Sequence, residues 1–182
     1  MIHLPNILSI IRIILVPVIL WLLIKDLFII SAITITIAGL TDFFDGYLSR
    51  KYNSESLLGF YLDAMADKFM IITIYLILGI KLFLPLYLII LILFKEVLIS
   101  GAYLFKLALD LKFNTKPILI SKINTFLQII LVVFVCLLTI NQINQLGEAM
   151  FIRNFLIALV TITTIVSSLI YITIWLKAVG SE

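Results

Sequence analysis

The stretch TDFFDGYLSRKYNSESLLGFYLDAMADK (residues 41–68) carries four aspartates in a chain that has only ten acidic residues. It lies where one apolar run ends and the next begins, which predicts two helices joined by a short polar loop. Carboxylates at membrane depth are costly and persist where they bind a ligand. Clustered oxygen donors favour divalent cations such as Mg²⁺. The stretch therefore indicates a cation site suited to phosphate chemistry, built from Asp42, Asp45, Asp63 and Asp67.

The rest of the chain is too apolar for a water-soluble domain. Of its 182 residues, 64% are apolar and 13% are charged, and the mean hydropathy is +1.29. Soluble domains carry about a quarter charged residues. Lipid offers no partner to backbone amides, so apolar runs that cross a core of ~30 Å must be helices. The sequence thus predicts an all-α, polytopic membrane bundle in one domain (1–182), with six transmembrane helices at residues 7–24, 27–46, 57–80, 82–106, 118–140 and 151–176.

Basic residues predict the orientation of this bundle, because loops rich in lysine and arginine stay in the cytoplasm. With a cytoplasmic N-terminus, seven basic residues outside the spans fall on that side, against Lys25, Lys81 and Arg153 on the other. Both termini and the aspartates are therefore expected on the cytoplasmic side of a bacterial inner membrane or an organellar equivalent. Arg12 interrupts the first apolar run, so no cleavable signal is expected. The lone Cys136 excludes a disulfide framework, and no nucleic acid partner is expected.

The spacing of the aspartates places each pair on one helix face. Asp42 and Asp45 are three residues apart, and Asp63 and Asp67 are four apart, so the members of each pair are neighbours on a helix. Gly59 precedes Asp63 by one turn, and Gly46 follows Asp45 directly. Glycines at these positions let a ligand or another backbone approach closely.

Four carboxylates in one cleft repel each other strongly in a low dielectric. Arg50 and Lys68 are near in sequence, but two cations do not balance four anions. Two divalent metal ions would, and paired metals are a recognised clamp for phosphoryl substitution. Arg50 would then contact a phosphate through its planar guanidinium. A cation transporter with an intramembrane site is the rival interpretation, but the two halves of the chain do not repeat the cluster, as inverted-repeat transporters do.

The aspartate segment resembles the signature of the CDP-alcohol phosphatidyltransferase family, D-x2-D-G-x2-A-R followed by G-x3-D-x3-D. This chain matches every signature position except the alanine, where it has Ser49. The resemblance implies a membrane enzyme that transfers a phosphatidyl group from a CDP-lipid to an alcohol and releases CMP. It also implies a homodimer in contact with membrane lipids.

The resemblance also implies roles for individual residues. Two divalent cations, Mg²⁺ or Mn²⁺, would be held by Asp42, Asp45, Asp63 and Asp67. Asp67 is implied as the base that deprotonates the acceptor hydroxyl. The pocket for CDP-diacylglycerol is implied at Asp42, Gly46, Ser49, Arg50 and Gly59.

Candidate residues for the acceptor lie in the second half of the chain. Lys95 and Glu96 are in the middle of the fourth apolar run, where they form either a structural ion pair or a site at which Lys95 reaches an anionic acceptor. Lys116, Lys122 and Asn124 belong to KPILISKINTFLQ (116–128), whose lysines either bind the acceptor or anchor to anionic headgroups.

The same segment, K-P-x-x-I-S-K-x-N-T-x-x-Q, resembles the cardiolipin synthase branch of the family. The phosphatidylglycerophosphate synthase branch typically has a lysine at the position of Asn124. The resemblance therefore implies phosphatidylglycerol as the acceptor, with glycerol 3-phosphate as the alternative. Loss of one lysine weakens attraction for a small dianion more than for a singly charged lipid.

Overall fold

The computed structural model describes residues 4–52, 57–108, 119–139 and 147–179, with side chains over 11–41, 67–101, 119–139 and 147–176. Over these residues the chain forms helices and no strand, which confirms the all-α prediction. Each predicted apolar run corresponds to one of the helices: α1 Leu4–Ile24, α2 Phe28–Tyr52, α3 Leu57–Ile80, α4 Leu86–Ala108, α5 Leu119–Leu138 and α6 Gly147–Val179.

Of the six predicted ranges, only that of α3 matches its helix at both ends, and the end of α2 and the start of α4 are two of the larger differences. α2 continues to Tyr52, beyond the predicted end at residue 46, because the polar residues that follow Gly46 end the apolar run without including a proline. α4 begins at Leu86 rather than at residue 82. Pro85 directly precedes it, and the Pro85 carbonyl accepts a hydrogen bond from the Leu88 amide at 3.1 Å. Hydropathy alone predicts neither the end of α2 nor the start of α4, because a helix can continue beyond an apolar run or begin inside one.

Two tight turns of the same type end α1 and α3. At the end of α1, Asp26 has φ 58°, and the Leu27 amide donates to the Leu22 carbonyl at 3.0 Å. At the end of α3, Leu82 has φ 62°, and the Phe83 amide donates to the Leu78 carbonyl at 2.9 Å. This is the Schellman arrangement, in which a left-handed residue satisfies the last carbonyls of the helix.

The two turns contact each other and form what we term the turn clasp (Asp26, Phe28, Lys81 and Phe83). Lys81 forms an ion pair with Asp26 and donates to the Ile24 carbonyl at 3.3 Å. The rings of Phe28 and Phe83 meet edge to face, with centroids 5.3 Å apart. The α1–α2 hairpin is thereby joined to the α3–α4 hairpin at one end of the bundle.

The bundle has an apolar core, but it also exposes many large apolar side chains and buries several charged and polar ones, unlike a typical soluble protein. Large apolar side chains face outward, among them Trp21, Ile33 and Leu169, each more than half exposed. Polar side chains are among the most deeply buried, including Arg12, Lys95 and Gln128, none more than 1% exposed. Among the described side chains, two helical segments are long and apolar enough to cross a membrane, Leu119–Leu138 and Gly147–Leu176. An apolar exterior, with the polar side chains buried among apolar ones, is the arrangement expected of a protein whose solvent is lipid.

Candidate active site

Asp67 lies on α3, in the half of the helix away from the turn clasp. It is 13 residues before Ile80, the last residue of α3, or ~20 Å along the axis at the α-helical rise. The buried guanidinium of Arg12, on α1, donates from Nη1 to Asp67 Oδ1 at 2.5 Å. The Arg12 side chain is 1% exposed and that of Asp67 is 30% exposed. One carboxylate of the predicted cluster is thus held by a buried cation while still being reachable from outside.

Arg12 is a site residue that the sequence prediction missed. The available signal was an arginine inside an apolar run, which requires a buried partner. The partner was not predictable, because the two residues are 55 positions apart in the chain. Lys68, expected to help balance the aspartates, instead directs its ammonium to α4.

The other predicted site residues on α2 and α3 are described by their helical backbone alone. α2 carries Asp42, Asp45, Gly46, Ser49 and Arg50 on its last three turns. α3 carries Gly59 and Asp63, the latter one turn before Asp67. α1 packs against both α2 and α3. The side chains of Asp42, Asp45, Ser49, Arg50 and Asp63 lie outside the described residues, so the metal set and the CDP pocket remain predictions.

The donor chemistry of the segment fits hard divalent cations. All four aspartates offer only carboxylate oxygens, the ligands that Mg²⁺ and Mn²⁺ prefer. Asp67 is the one whose side chain is described, and its partial exposure leaves room for a ligand to approach. Within the described side chains, no group of three or more His, Cys, Asp or Glu residues could hold a metal ion. This statement does not cover the predicted set of four aspartates, because the side chains of Asp42, Asp45 and Asp63 lie outside the described residues.

We expect Arg12→Gln to lower the free energy of unfolding by about 2 kcal/mol. Removing one partner of a buried ion pair typically costs more, but the partial exposure of Asp67 moderates the loss. Arg12→Lys keeps the charge and should lose less. Unfolding in mixed detergent micelles measures both variants. Equal stability of Arg12→Gln and the parent protein would contradict a structural role for this pair.

A second polar cluster connects α3 to α4 through Lys68, the residue that follows Asp67. Lys68 Nζ donates to Ser100 Oγ at 2.6 Å, and Ser100 Oγ donates to the Glu96 carbonyl at 2.8 Å. Lys95 Nζ lies 3.1 Å from Glu96 Oε1, and the two side chains are 1% and 7% exposed. Lys68 is close enough to interact electrostatically with both Lys95 and Glu96. We call Lys68, Lys95, Glu96 and Ser100 the lysine cluster; its formal net charge is that of one cation.

The lysine cluster bears on the two interpretations of Lys95. The ion pair with Glu96 is present, as the structural interpretation requires. Lys68 is a second lysine near the Glu96 carboxylate, so the cluster has a net positive formal charge. An ion pair with a purely structural role would need only Lys95 and Glu96. Sequence reasoning did not connect Lys68 with Lys95, because the contact joins different helices.

Of the remaining acceptor candidates, Asn124 is buried and Lys122 is exposed. Asn124 Oδ1 accepts hydrogen bonds from the hydroxyls of Thr163 and Thr164 at 2.8 and 3.0 Å, which joins α5 to α6. Lys122 lies on an exposed face of α5. Lys116 lies outside the described residues. The described hydrogen bonds of the Asn124 side chain thus lead to α6 and not to Asp67 or the lysine cluster.

We expect Asn124→Ala to destabilise the α5–α6 contact by about 1 kcal/mol, since hydrogen bonds between membrane helices are individually modest. Lys122→Ala, on the same helix but exposed, should change stability by less than about 0.5 kcal/mol. Thermal unfolding in detergent compares the two. A parent-like midpoint for Asn124→Ala would show that its threonine contacts contribute nothing measurable.

Most of this chain matches a known protein family. Residues 2–166 match the protein-family model described as CDP-alcohol phosphatidyltransferase. That span includes Arg12, the aspartate segment and the lysine cluster.

Curated relatives carry names of two kinds. The chain is 36% identical over 144 residues to the Homo sapiens protein named cardiolipin synthase (CMP-forming), covering 70% of this chain and 48% of the relative. It is 33% identical over 147 residues to the chloroplastic CDP-diacylglycerol--glycerol-3-phosphate 3-phosphatidyltransferase 1 of Oryza sativa subsp. japonica, covering 71% and 45%. It is 30% identical over 179 residues to the CDP-diacylglycerol--glycerol-3-phosphate 3-phosphatidyltransferase of Aquifex aeolicus, covering 95% and 92%. The chain thus spans about half the length of the first two relatives and nearly all of the third.

Proposed function

This chain belongs to the CDP-alcohol phosphatidyltransferase family, and on that premise we propose that it transfers a phosphatidyl group from CDP-diacylglycerol to an alcohol and releases CMP. The observation that carries the proposal is the Arg12–Asp67 pair, which holds the last aspartate of the signature at a partly exposed position. Family membership favours the transferase over a cation transporter. The acceptor, the metals and the residue roles below are parts of the proposal.

The proposed metal site uses the four aspartates of α2 and α3. Asp42, Asp45, Asp63 and Asp67 would hold two divalent cations, Mg²⁺ or Mn²⁺. When bound, the cations supply charge stabilisation to the diphosphate of the donor lipid and to the departing CMP. Gly46, Ser49, Arg50 and Gly59 are proposed to form the CDP pocket with Asp42.

The proposed reaction is a substitution at the β-phosphorus of CDP-diacylglycerol. The acceptor hydroxyl oxygen forms a bond to that phosphorus, and the bond between the phosphorus and the oxygen bridging to CMP breaks. The hydroxyl proton passes to Asp67, which is the proposed general base. Arg12 holds Asp67 in position and neutralises one charge of the cluster.

The lysine cluster is the proposed docking point for the phosphate of the acceptor. It has a net positive formal charge, and Lys68, which follows Asp67 on α3, is partly exposed and brings an ammonium group that can bind phosphate. Lys95 is buried against Glu96 and would have to be reached from inside the bundle. Lys116, Lys122 and Asn124 remain proposed contributors.

We propose phosphatidylglycerol as the acceptor, with glycerol 3-phosphate as the alternative. Relatives named for each reaction match this chain, so the names do not decide between them.

The membrane arrangement completes the proposal. Six helices would span the membrane, with both termini and the aspartates on the cytoplasmic side, and the active form would be a homodimer. The apolar exterior of the described helices supports the membrane location.

Purified protein with labelled CDP-diacylglycerol and Mn²⁺ or Mg²⁺ tests the proposal. Phosphatidylglycerol and glycerol 3-phosphate are offered in separate reactions, and the lipid product is identified by mass. We expect metal-dependent CMP release with cardiolipin as the product. Formation of phosphatidylglycerophosphate instead would assign the alternative acceptor, and no CMP with either acceptor would refute the transferase.

A further inference from the structure

A groove opens at the turn-clasp end of the bundle, far from Asp67. It lies between the α3–α4 turn and the first turns of α6, and it has room for about 530 Å³, within the range of ligand pockets. One wall contains Leu82, Leu86 and Tyr87, all more than half exposed. The opposite wall contains Arg153 and Asn154. Ile157 and Ala158 complete that wall, so the groove is largely apolar, with one charged and one polar side chain on the α6 side.

Arg153 supplies the charge of this groove. Its Nε is buried and has no hydrogen-bond partner among the described residues. Among the described residues, the carboxylates of Asp26, Asp67 and Glu96 pair with other cations. Glu148, on the first turn of α6, is exposed and does not line the groove, and residues 140–146, which precede α6, contain no acid. The groove lining has one cation and no carboxylate. It is thus complementary to a ligand of net negative charge.

From these features we propose that the groove binds an anionic phospholipid from the leaflet that faces the turn clasp. The Arg153 guanidinium matches the geometry of a phosphodiester and can donate two parallel hydrogen bonds to it. The exposed leucines provide an apolar wall for the acyl chains, and Tyr87 is a residue type typical of the membrane interface. Inorganic phosphate would use the cation but leave the apolar wall uncovered. A zwitterionic lipid would bring an ammonium group for which the groove has no anion.

This site goes beyond the proposed transfer reaction and does not depend on it. Asp67 is ~20 Å along α3 from the groove, so the lipid bound at Arg153 is neither donor nor acceptor. Its role would be to stabilise the end of the bundle at which α3, α4 and α6 meet.

Lipid binding to the purified protein tests the proposal. The probe is phosphatidylmethanol, an anionic phosphodiester without a hydroxyl group, which cannot serve as an acceptor. Phosphatidylcholine and inorganic phosphate are the comparison ligands. Native mass spectrometry counts bound lipids, and the thermal midpoint reports stabilisation. We expect phosphatidylmethanol to bind at least tenfold more tightly than phosphatidylcholine, and phosphate to have no effect.

Arg153→Gln should remove that preference, whereas Lys25→Gln, an exposed cation at the same end, should change affinity by less than twofold. Arg153→Lys keeps the charge without the planar fork and should retain part of the preference, which also covers the case in which Arg153→Gln does not fold. Equal losses of lipid affinity in Arg153→Gln and Lys25→Gln would show that binding depends on general surface charge, which would contradict a specific site at Arg153. So would unchanged binding in Arg153→Gln. CMP release is measured on the same samples, so failure of the transferase and failure of the lipid site are separate outcomes.

Discussion

Asp63→Asn will reduce CMP release by at least about a thousandfold, because loss of metal-held charge stabilisation costs several kcal/mol and each 1.4 kcal/mol is tenfold in rate. Asparagine keeps the size of the side chain but removes the charge that a divalent cation requires. Asp67→Asn should have an effect of the same order, with an added loss of stability because Arg12 loses its anionic partner. Release of labelled CMP from CDP-diacylglycerol measures the rate.

The matched control is Asp26→Asn, which removes a carboxylate from the turn clasp at the other end of the bundle. It should leave CMP release within about twofold of the parent, since surface substitutions away from a site have small effects. Binding of Mn²⁺, followed by its paramagnetic resonance signal, gives a readout besides activity. Turnover of Asp63→Asn within fivefold of the parent, or unchanged Mn²⁺ binding, would refute the assignment of the aspartates as metal ligands.

Glu96→Ala should be the most destabilising single substitution in the lysine cluster. It leaves the Lys95 ammonium, which is 1% exposed, without its anion. Breaking a buried ion pair in this way costs about 3–5 kcal/mol. The double variant Lys95→Met/Glu96→Gln removes both charges and should recover most of that stability, because replacing a buried pair is often nearly neutral. Reversible unfolding in mixed micelles measures both.

Kinetics of the double variant separate the two interpretations of Lys95. If Lys95 itself donates to the acceptor phosphate, the double variant removes that donor without changing the net charge of the cluster. The KM for the acceptor should then rise by about tenfold, roughly the effect of one lost charge-assisted hydrogen bond. The KM for CDP-diacylglycerol should stay unchanged. A double variant with parent stability and a parent KM for the acceptor would leave Lys95 with a structural role alone.

The helices were predictable from sequence because a chain that crosses lipid must satisfy its own backbone hydrogen bonds, as an α-helix does. Each apolar run became a helix, and the aspartates fell on helices at the spacings expected. The contact of Arg12 with Asp67 was not predictable, because periodicity within each helix says nothing about which helices meet. The same limit applies to Lys68, whose direction toward Ser100 depends on where α4 packs.

The residue types at the ends of α1 and α3 did not predict the Schellman turns found there. Schellman turns are commonly marked by glycine, but here Asp26 and Leu82 occupy the left-handed positions. A leucine in that conformation costs roughly 1–2 kcal/mol, so packing around the turn must compensate for it. Sequence rules for turns could not detect this, since they describe what a residue prefers and not what its neighbours impose.

The turn clasp has a mechanical consequence for the whole bundle. Lys81, Asp26 and the two phenylalanine rings fasten one hairpin to the other at this end, and the Arg12–Asp67 ion pair joins α1 to α3 a second time, ~20 Å further along α3. A separation of the two hairpins that admits a two-tailed substrate as far as Asp67 must therefore break or shift the Arg12–Asp67 pair, while the turn clasp keeps the far end closed.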